Sequence, residues 1–284
     1  MRSLFVKISL TMVVLLLLEG CLKEASYNGD YRQRLVVDGR IDEGDGSIVA
    51  LSLNIDYRDE YDREDVEDMV VRWAKVSVTD FRDTVVLTGR MNRDYPTQFI
   101  YTDSELIGRA GEKYGLIVEY SGRVWRSECY IPHKAELTDI RVERVQDTLY
   151  SISATLPPID TPCSIECSLN GSSYYAPTIL GIHEASEYSR QITINRPLEN
   201  LDRKEYTTLF NEHDIVSLRL NTMDTYSFNY WNLWENNLIN AVNPLFPAVD
   251  NLPTNISNNG LGLWAGYGVS YYYIGTVSEY DTME

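Results

Sequence analysis

Two hydrophobic periods organise this chain. From residue 34 to 131 short apolar runs recur with a spacing of two between clusters of turn residues, which predicts β-strands. Leu35-Val36-Val37 opens the series, with an Asp38-Gly39 turn signal before Ile41. Ile48, Leu51, Leu53 and Ile55 predict a second strand whose alternation is disturbed at Ala50. Trp73, Val76 and Val78 fall in a third, residues 84–87 in a fourth and 98–101 in a fifth. Residues 114–119 and 124–131 flank Tyr120-Ser121-Gly122-Arg123, a hairpin connection in which Gly122 supplies positive φ. Seven strands over this span predict a two-sheet sandwich of immunoglobulin or transthyretin type at 32–132. Tyr114, three residues after Gly111, fits either a tyrosine corner or a half-buried strand position.

Beyond Pro132-His133-Lys134 the pattern predicts a second, β-rich domain at 133–284. Residues 139–145 and 148–156 read as strands joined at Gln146-Asp147, and Pro157-Pro158 stops the run. Further strands are expected at 165–169, 191–194 and 215–220. Over about 225–242 the period changes to three and four: Tyr226, Tyr230, Leu233, Trp234, Asn237, Leu238 and Ala241 share one helical face. Asp224 is placed to cap that helix, and Pro244 and Pro247 end it. A one-sided aromatic helix must bury its face, and the second sheet is the expected partner. In the tail, Gly260, Gly262, Gly266 and Gly268 strip side chains from one face of a strand, which admits either close backbone packing or a ligand platform.

The N-terminus departs from both periods. Arg2 and Lys7 precede the apolar residues 8–18, and Gly20 stands immediately before Cys21, the layout of a secretory signal at 1–20. Such a run is too short for a bilayer span, which needs roughly 20 residues. The Leu-Glu-Gly-Cys end looks like a bacterial lipoprotein signal, so Cys21 is the expected lipidation site and the lipid the expected contact with the membrane. Residues 21–31 are polar and read as a tether.

Charge narrows the partners. The chain carries 25 Lys and Arg against 42 Asp and Glu, a formal net charge of −17. That repels nucleic-acid phosphates, so nucleic acid is excluded as an expected partner. Eight of the thirteen residues from 56 to 68 are acidic, without the spacing and central glycine of a calcium loop; a solvated insertion is the expectation. Cys129, Cys163 and Cys167 are candidates for buried thiols or for one disulfide with a thiol left over.

No motif assigns chemistry. The histidines are His133, His183 and His213, none in a zinc-binding spacing, and no Gly-x-Ser-x-Gly elbow or phosphate loop occurs. Neither a cofactor nor a metal is expected. The 21 tyrosines and five tryptophans point instead to binding, because aromatic side chains give large contact area at small ordering cost. The candidate binding residues are Tyr174, Tyr175, Trp264, Tyr267, Tyr271 and Tyr273, facing a glycan or a peptide.

A family resemblance rests on the tail: Asn243-Pro244-Leu245-Phe246, then 253–259 (Pro-Thr-Asn-Ile-Ser-Asn-Asn), then 260–267 (Gly-Leu-Gly-Leu-Trp-Ala-Gly-Tyr). With Leu35-Val36-Val37-Asp38-Gly39 and residues 108–116, it resembles an uncharacterised family of Bacteroidota outer-membrane lipoproteins, domain of unknown function 4249. The tail departs in its Asn-Asn-Gly and the acidic insertion in its length. The resemblance implies a β-rich lipoprotein of the outer membrane, often encoded near a TonB-dependent receptor, with no assigned chemistry. Lys23 and Glu24 after Cys21 resemble the surface-export signals of that phylum. The expected function is a non-catalytic accessory or substrate-capturing partner of such a transporter. An extracellular polymer hydrolase and a structural or adhesive surface protein are the alternatives.

Overall fold

In strand β1 (Leu35–Asp42) alternation sends Leu35, Val37 and Ile41 into a core, while Asp38, Arg40 and Asp42 stand on the opposite face. The computed structural model describes residues 33–54, 67–197, 208–240 and 252–280. The expected signal at 1–20, the tether at 21–31 and most of the acidic insertion lie outside them.

The remaining strands are β2 (Ser47–Leu53), β3 (Lys75–Thr79), β4 (Thr84–Val86), β5 (Thr88–Met91), β6 (Phe99–Thr102), β7 (Lys113–Tyr120), β8 (Arg123–Tyr130), β9 (Thr138–Gln146), β10 (Leu149–Leu156), β11 (Cys163–Leu169), β12 (Ala176–His183), β13 (Arg190–Ile194), β14 (Phe210–Asn211), β15 (Ile215–Thr222) and β16 (Leu261–Thr276). Helix α1 (Thr225–Asn240) precedes β16, and the short α2 (Val277–Tyr280) follows it. The protein is thus mainly β.

An eight-stranded sheet runs β12-β11-β15-β16-β1-β2-β6-β5. One side of it carries both large cores. Toward β1 and β2 it meets the small sheet β4-β3-β7-β8, sharing a core that includes Val49, Val76, Leu116, Trp125 and Trp264. Toward β11 and β15 it meets the sheet of β13, β10, β14 and β9, around Tyr150, Ile152, Ile165, Phe210 and Leu218. Residues 132/133, the division read from the sequence, lie between β8 and β9.

β16 joins the halves. Its first residues pair with β1 in parallel, Val36 opposite Leu261 through Asp42 opposite Tyr267. From Gly268 it pairs antiparallel with β15. Residues 261–267 therefore pack with the N-terminal strands, and Trp264 lies fully buried in their core, its indole N–H donating to the Tyr114 carbonyl at 3.2 Å.

The Asp38-Gly39 pair is strand, not turn. A Cβ on Gly39 would lie 2.8 Å from the Trp264 ring, so glycine is required there by packing. The glycines of β16 likewise serve close approach: a Cβ on Gly266 would lie 2.6 Å from the Tyr130 carbonyl oxygen. Of the two readings of Tyr114, the corner is the one observed. Its hydroxyl accepts from the Arg109 N–H at 2.9 Å and reaches the Ile107 carbonyl at 3.4 Å, clamping the loop before β7.

The Pro-Thr-Asn segment has a packing role. Asn255 mimics a strand neighbour of Trp264, accepting from its N–H at 3.0 Å and donating to its carbonyl at 2.7 Å. Ser257 accepts from the Arg126 N–H at 2.7 Å, docking the loop on β8. Cys129, Cys163 and Cys167 are buried and none is in a disulfide. Burial pushes the Cys163 thiol up to about 12.

Candidate binding cleft

The second face of the large sheet carries the polar residues that alternation displaced from the cores. Arg40 from β1, Glu166 from β11, and Arg219 and Asn221 from β15 converge there with Asp42. The Arg40 guanidinium donates through Nε to both Asp42 carboxylate oxygens, at 2.8 and 3.1 Å. It also donates to Glu166 at 3.2 Å and to Asn221 Oδ1 at 3.2 Å. Arg219 Nε donates to the same Glu166 oxygen, and its Nη1 stands 4.0 Å from Asp42. Two arginines and two carboxylates thus close into one nearly buried network.

Burial alone would raise the Glu166 carboxyl, but Arg219 and then Arg40 outweigh it and hold the carboxyl below its usual range. Tyrosine faces complete the shielding: the Arg40 guanidinium lies 4.5 Å from the Tyr267 ring centroid, and that of Arg219 lies 4.7 Å from the Tyr175 ring.

Asp38 stands apart from this network. It has no hydrogen-bond partner among the described residues, and its carboxylate opens toward solvent at the bottom of a cleft. Protein crowds it on the remaining sides. Its pKa is raised, chiefly by that crowding and further by Glu166, with Arg40 and Arg219 pulling the other way.

The cleft holds about 780 Å³ and has three walls over the Asp38 and Leu263 floor. Residues 93–98, between β5 and β6, form the first and residues 172–177, the loop after β11 and the first residues of β12, the second. These loops come from opposite halves of the chain and hold each other. Ser173 donates its N–H to Asp94 at 2.7 Å, Asn92 donates to the Ser173 hydroxyl at 3.1 Å, and Tyr95 meets Tyr174 edge to face at 5.0 Å.

Helix α1 is the third wall. Asp224 caps it, accepting from the Ser227 N–H at 2.7 Å. Trp231 donates to the Tyr267 hydroxyl at 2.8 Å, and Tyr230, Trp231 and Trp234 follow one another edge to face at 5.4 and 5.5 Å. Near its far end the buried Glu235 accepts from the Gly181 N–H at 3.1 Å, at an irregularity of β12 where Leu180 has a φ of 59°. The helix is thereby held to the sheet at Trp231 and Glu235, with Tyr230, Trp231, Trp234 and Leu238 lining the cleft.

The structure places the sequence candidates in four settings. Tyr174 lines the cleft, while Tyr175 and Tyr267 lie beneath it beside the arginines. Tyr271 and Tyr273 are on the same sheet face but solvent-exposed, Tyr271 touching Tyr175 at 5.9 Å. Trp264 reaches no part of the cleft. Sequence reasoning passed over Asp38, Tyr95, Trp231, Arg40, Glu166 and Arg219. The signal was available for Asp38 and Arg40, as the polar half of an alternating strand, but the Asp-Gly turn rule masked it. His213 is exposed beside Glu212 at 3.5 Å and lines neither the cleft nor the space beneath it. No group of three or more His, Cys, Asp or Glu suited to a metal occurs among the described residues.

A mainly β protein with an aromatic cleft over a buried ion-pair floor is the class these features define. The chain belongs to the family Domain of unknown function (DUF4249), whose model matches residues 23–272. No curated protein matches it.

Proposed function

We propose that this protein is a non-catalytic binding protein of the cell envelope. In this reading Cys21 carries lipid that anchors the chain to the outer membrane of a Bacteroidota cell, facing outward. There it captures a peptide or glycan as the accessory partner of a TonB-dependent receptor. The observation that carries the reading is the cleft: its size suits a small-molecule or side-chain ligand, and rings converge in it with the open carboxylate of Asp38. Tethering then acts by effective concentration, holding captured ligand beside the receptor. The small sheet β4-β3-β7-β8 facing β1, β2 and β16, with a tyrosine corner, supports an immunoglobulin- or transthyretin-like relationship for the N-terminal half.

A two-carboxylate hydrolase has less support, because Asp42 and Glu166 are occupied by arginines and Asp94, the other acid lining the cleft, accepts from Ser173 in the loop contact, which leaves Asp38 as the open acid on the floor. An adhesive role needs no concave site. The reading is tested in two measurements on native membranes. Mass spectrometry is expected to find a lipid-modified N-terminal Cys21, and mild detergent extraction to co-purify an outer-membrane receptor. An unmodified Cys21, or a retained leader, removes the tether; purification without any receptor removes the partnership.

A further inference from the structure

The cleft floor has an uneven charge balance. Asp42 and Glu166 are matched by Arg40 and Arg219 within hydrogen-bond or ion-pair reach. Asp38 is the third carboxylate on the same face, and no donor of the described chain reaches it. It is also the one of the three that opens into the cavity. An open carboxylate in such a place interacts strongly with whatever enters, because surrounding protein weakens screening.

Its neighbours lack N–H or O–H donors at hydrogen-bond distance and instead bring ring surface. Tyr95, Tyr174 and Trp231 line both the cleft and the small space beneath it, where Asp38 is also found. Trp234 and Tyr230 continue the surface upward. Ring faces are electron-rich and attract cations. Among the described residues Arg93 is the one cation lining the cleft, and it is exposed beside Asp94. The chain as a whole, at −17, draws cations in and repels anions.

Resting on the binding reading above, we infer that the cleft recognises a positively charged nitrogen, an ammonium or guanidinium on a peptide side chain, which pairs with Asp38 while its apolar stem lies against Trp231 and Tyr174. A cationic group answers both features of the site at once, forming a charge-assisted hydrogen bond to the surplus carboxylate and resting on rings. A neutral sugar satisfies the rings and leaves the charge without a counterpart. A carboxylate or phosphate ligand is repelled by Asp38.

Calorimetry on the purified full chain tests this with acetyl-Phe-Arg-Phe-amide, the same peptide carrying citrulline, which keeps the shape of arginine without its charge, and maltotetraose. The arginine peptide is expected to bind at least about tenfold more tightly than the citrulline peptide, and Asp38→Asn to erase that difference. The wild-type comparison stands even if Asp38→Asn folds poorly. Equal affinity for the two peptides overturns the charge inference while leaving capture intact. Binding of maltotetraose with neither peptide assigns the cleft to neutral glycans and overturns it too. Failure of all three probes to bind overturns the inference and withdraws the cleft as support for capture.

Discussion

Glu166 is where the floor of the cleft is most open to a quantitative test. It accepts from Arg219 and from Arg40, and both guanidinium groups are almost wholly withdrawn from water, with side-chain exposures of 8% and 13%. Glu166→Gln keeps the shape and one carbonyl acceptor but removes the charge that both arginines share. Two charge-assisted hydrogen bonds at about 1.5–3 kcal/mol each set the scale. Breaking a buried pair costs about 3–5 kcal/mol when the remaining charge is left alone. Here Asp42 still contacts Arg40 at 2.8 Å and Arg219 at 4.0 Å, which softens the loss. The expected destabilisation is therefore about 3 kcal/mol, roughly a hundredfold in the folding equilibrium. Urea unfolding at pH 7 followed by circular dichroism, with unchanged denaturant dependence, measures it.

The pH dependence adds a second readout. Because the folded Glu166 carboxyl lies below its unfolded value near about 4.3, its stabilisation is complete above that pH and is lost as pH falls through the folded value. The variant is expected to lose that part of the acid limb. Coupling closes the argument: Glu166→Gln combined with Arg219→Gln should cost clearly less than the sum of the two. A single-variant loss under about 1 kcal/mol, or simple additivity, refutes the view that this network acts as a unit.

Four further outcomes are expected. Burial, with Arg190 nearby, holds His183 at about 4, so its ring should stay neutral by NMR at pH 5, and the fold should lose stability as pH falls from about 6.5 toward 4, where the unfolded chain takes up a proton that the folded one does not. Gly39→Ala places a methyl group 2.8 Å from Trp264 and should cost about 1–3 kcal/mol by overpacking, visible as a lower urea midpoint and altered tryptophan emission. Glu235→Ala leaves the buried Gly181 N–H without its acceptor, costing about 1–3 kcal/mol, and should speed hydrogen exchange at the amides of residues 180–182. Cys129, Cys163 and Cys167 should resist a thiol reagent in the native protein and all react after unfolding in urea; fast native labelling at any of them contradicts their burial.

Local patterning carried much of this protein's architecture. Alternation along residues such as 149–156 and 165–169 marks strands because one face must be apolar, and the switch to spacings of three and four marks helix α1 for the same reason. Asp224 was legible as its cap, since capping depends on residues a few positions apart. Tyr230, Trp234 and Leu238 of the face read from apolar spacing do line the cleft; Trp231 lies beside that face, and only the packing against the sheet and the neighbouring loops brings it in. Non-local pairing stayed invisible. Nothing in residues 261–267 announces a parallel partner at 36–42, and so the core position of Trp264 and the true reason for Gly39 emerge only when the two strands are side by side.

The site shows the same limit in sharper form. An Asp-Gly pair favours turns when its neighbours leave the backbone free, yet here a ladder on each side of β1 holds it extended and turns Asp38 into the cleft. Arg40, Glu166 and Arg219 are ordinary charged residues in sequence. They become a buried network because β1, β11 and β15 belong to one sheet joined through β16. Sequence by itself determined which segments alternate, where the aromatic helix begins and the acidic surplus. Tertiary structure decided which side chains meet, because charge pairing and cavity formation depend on distances between segments far apart along the chain.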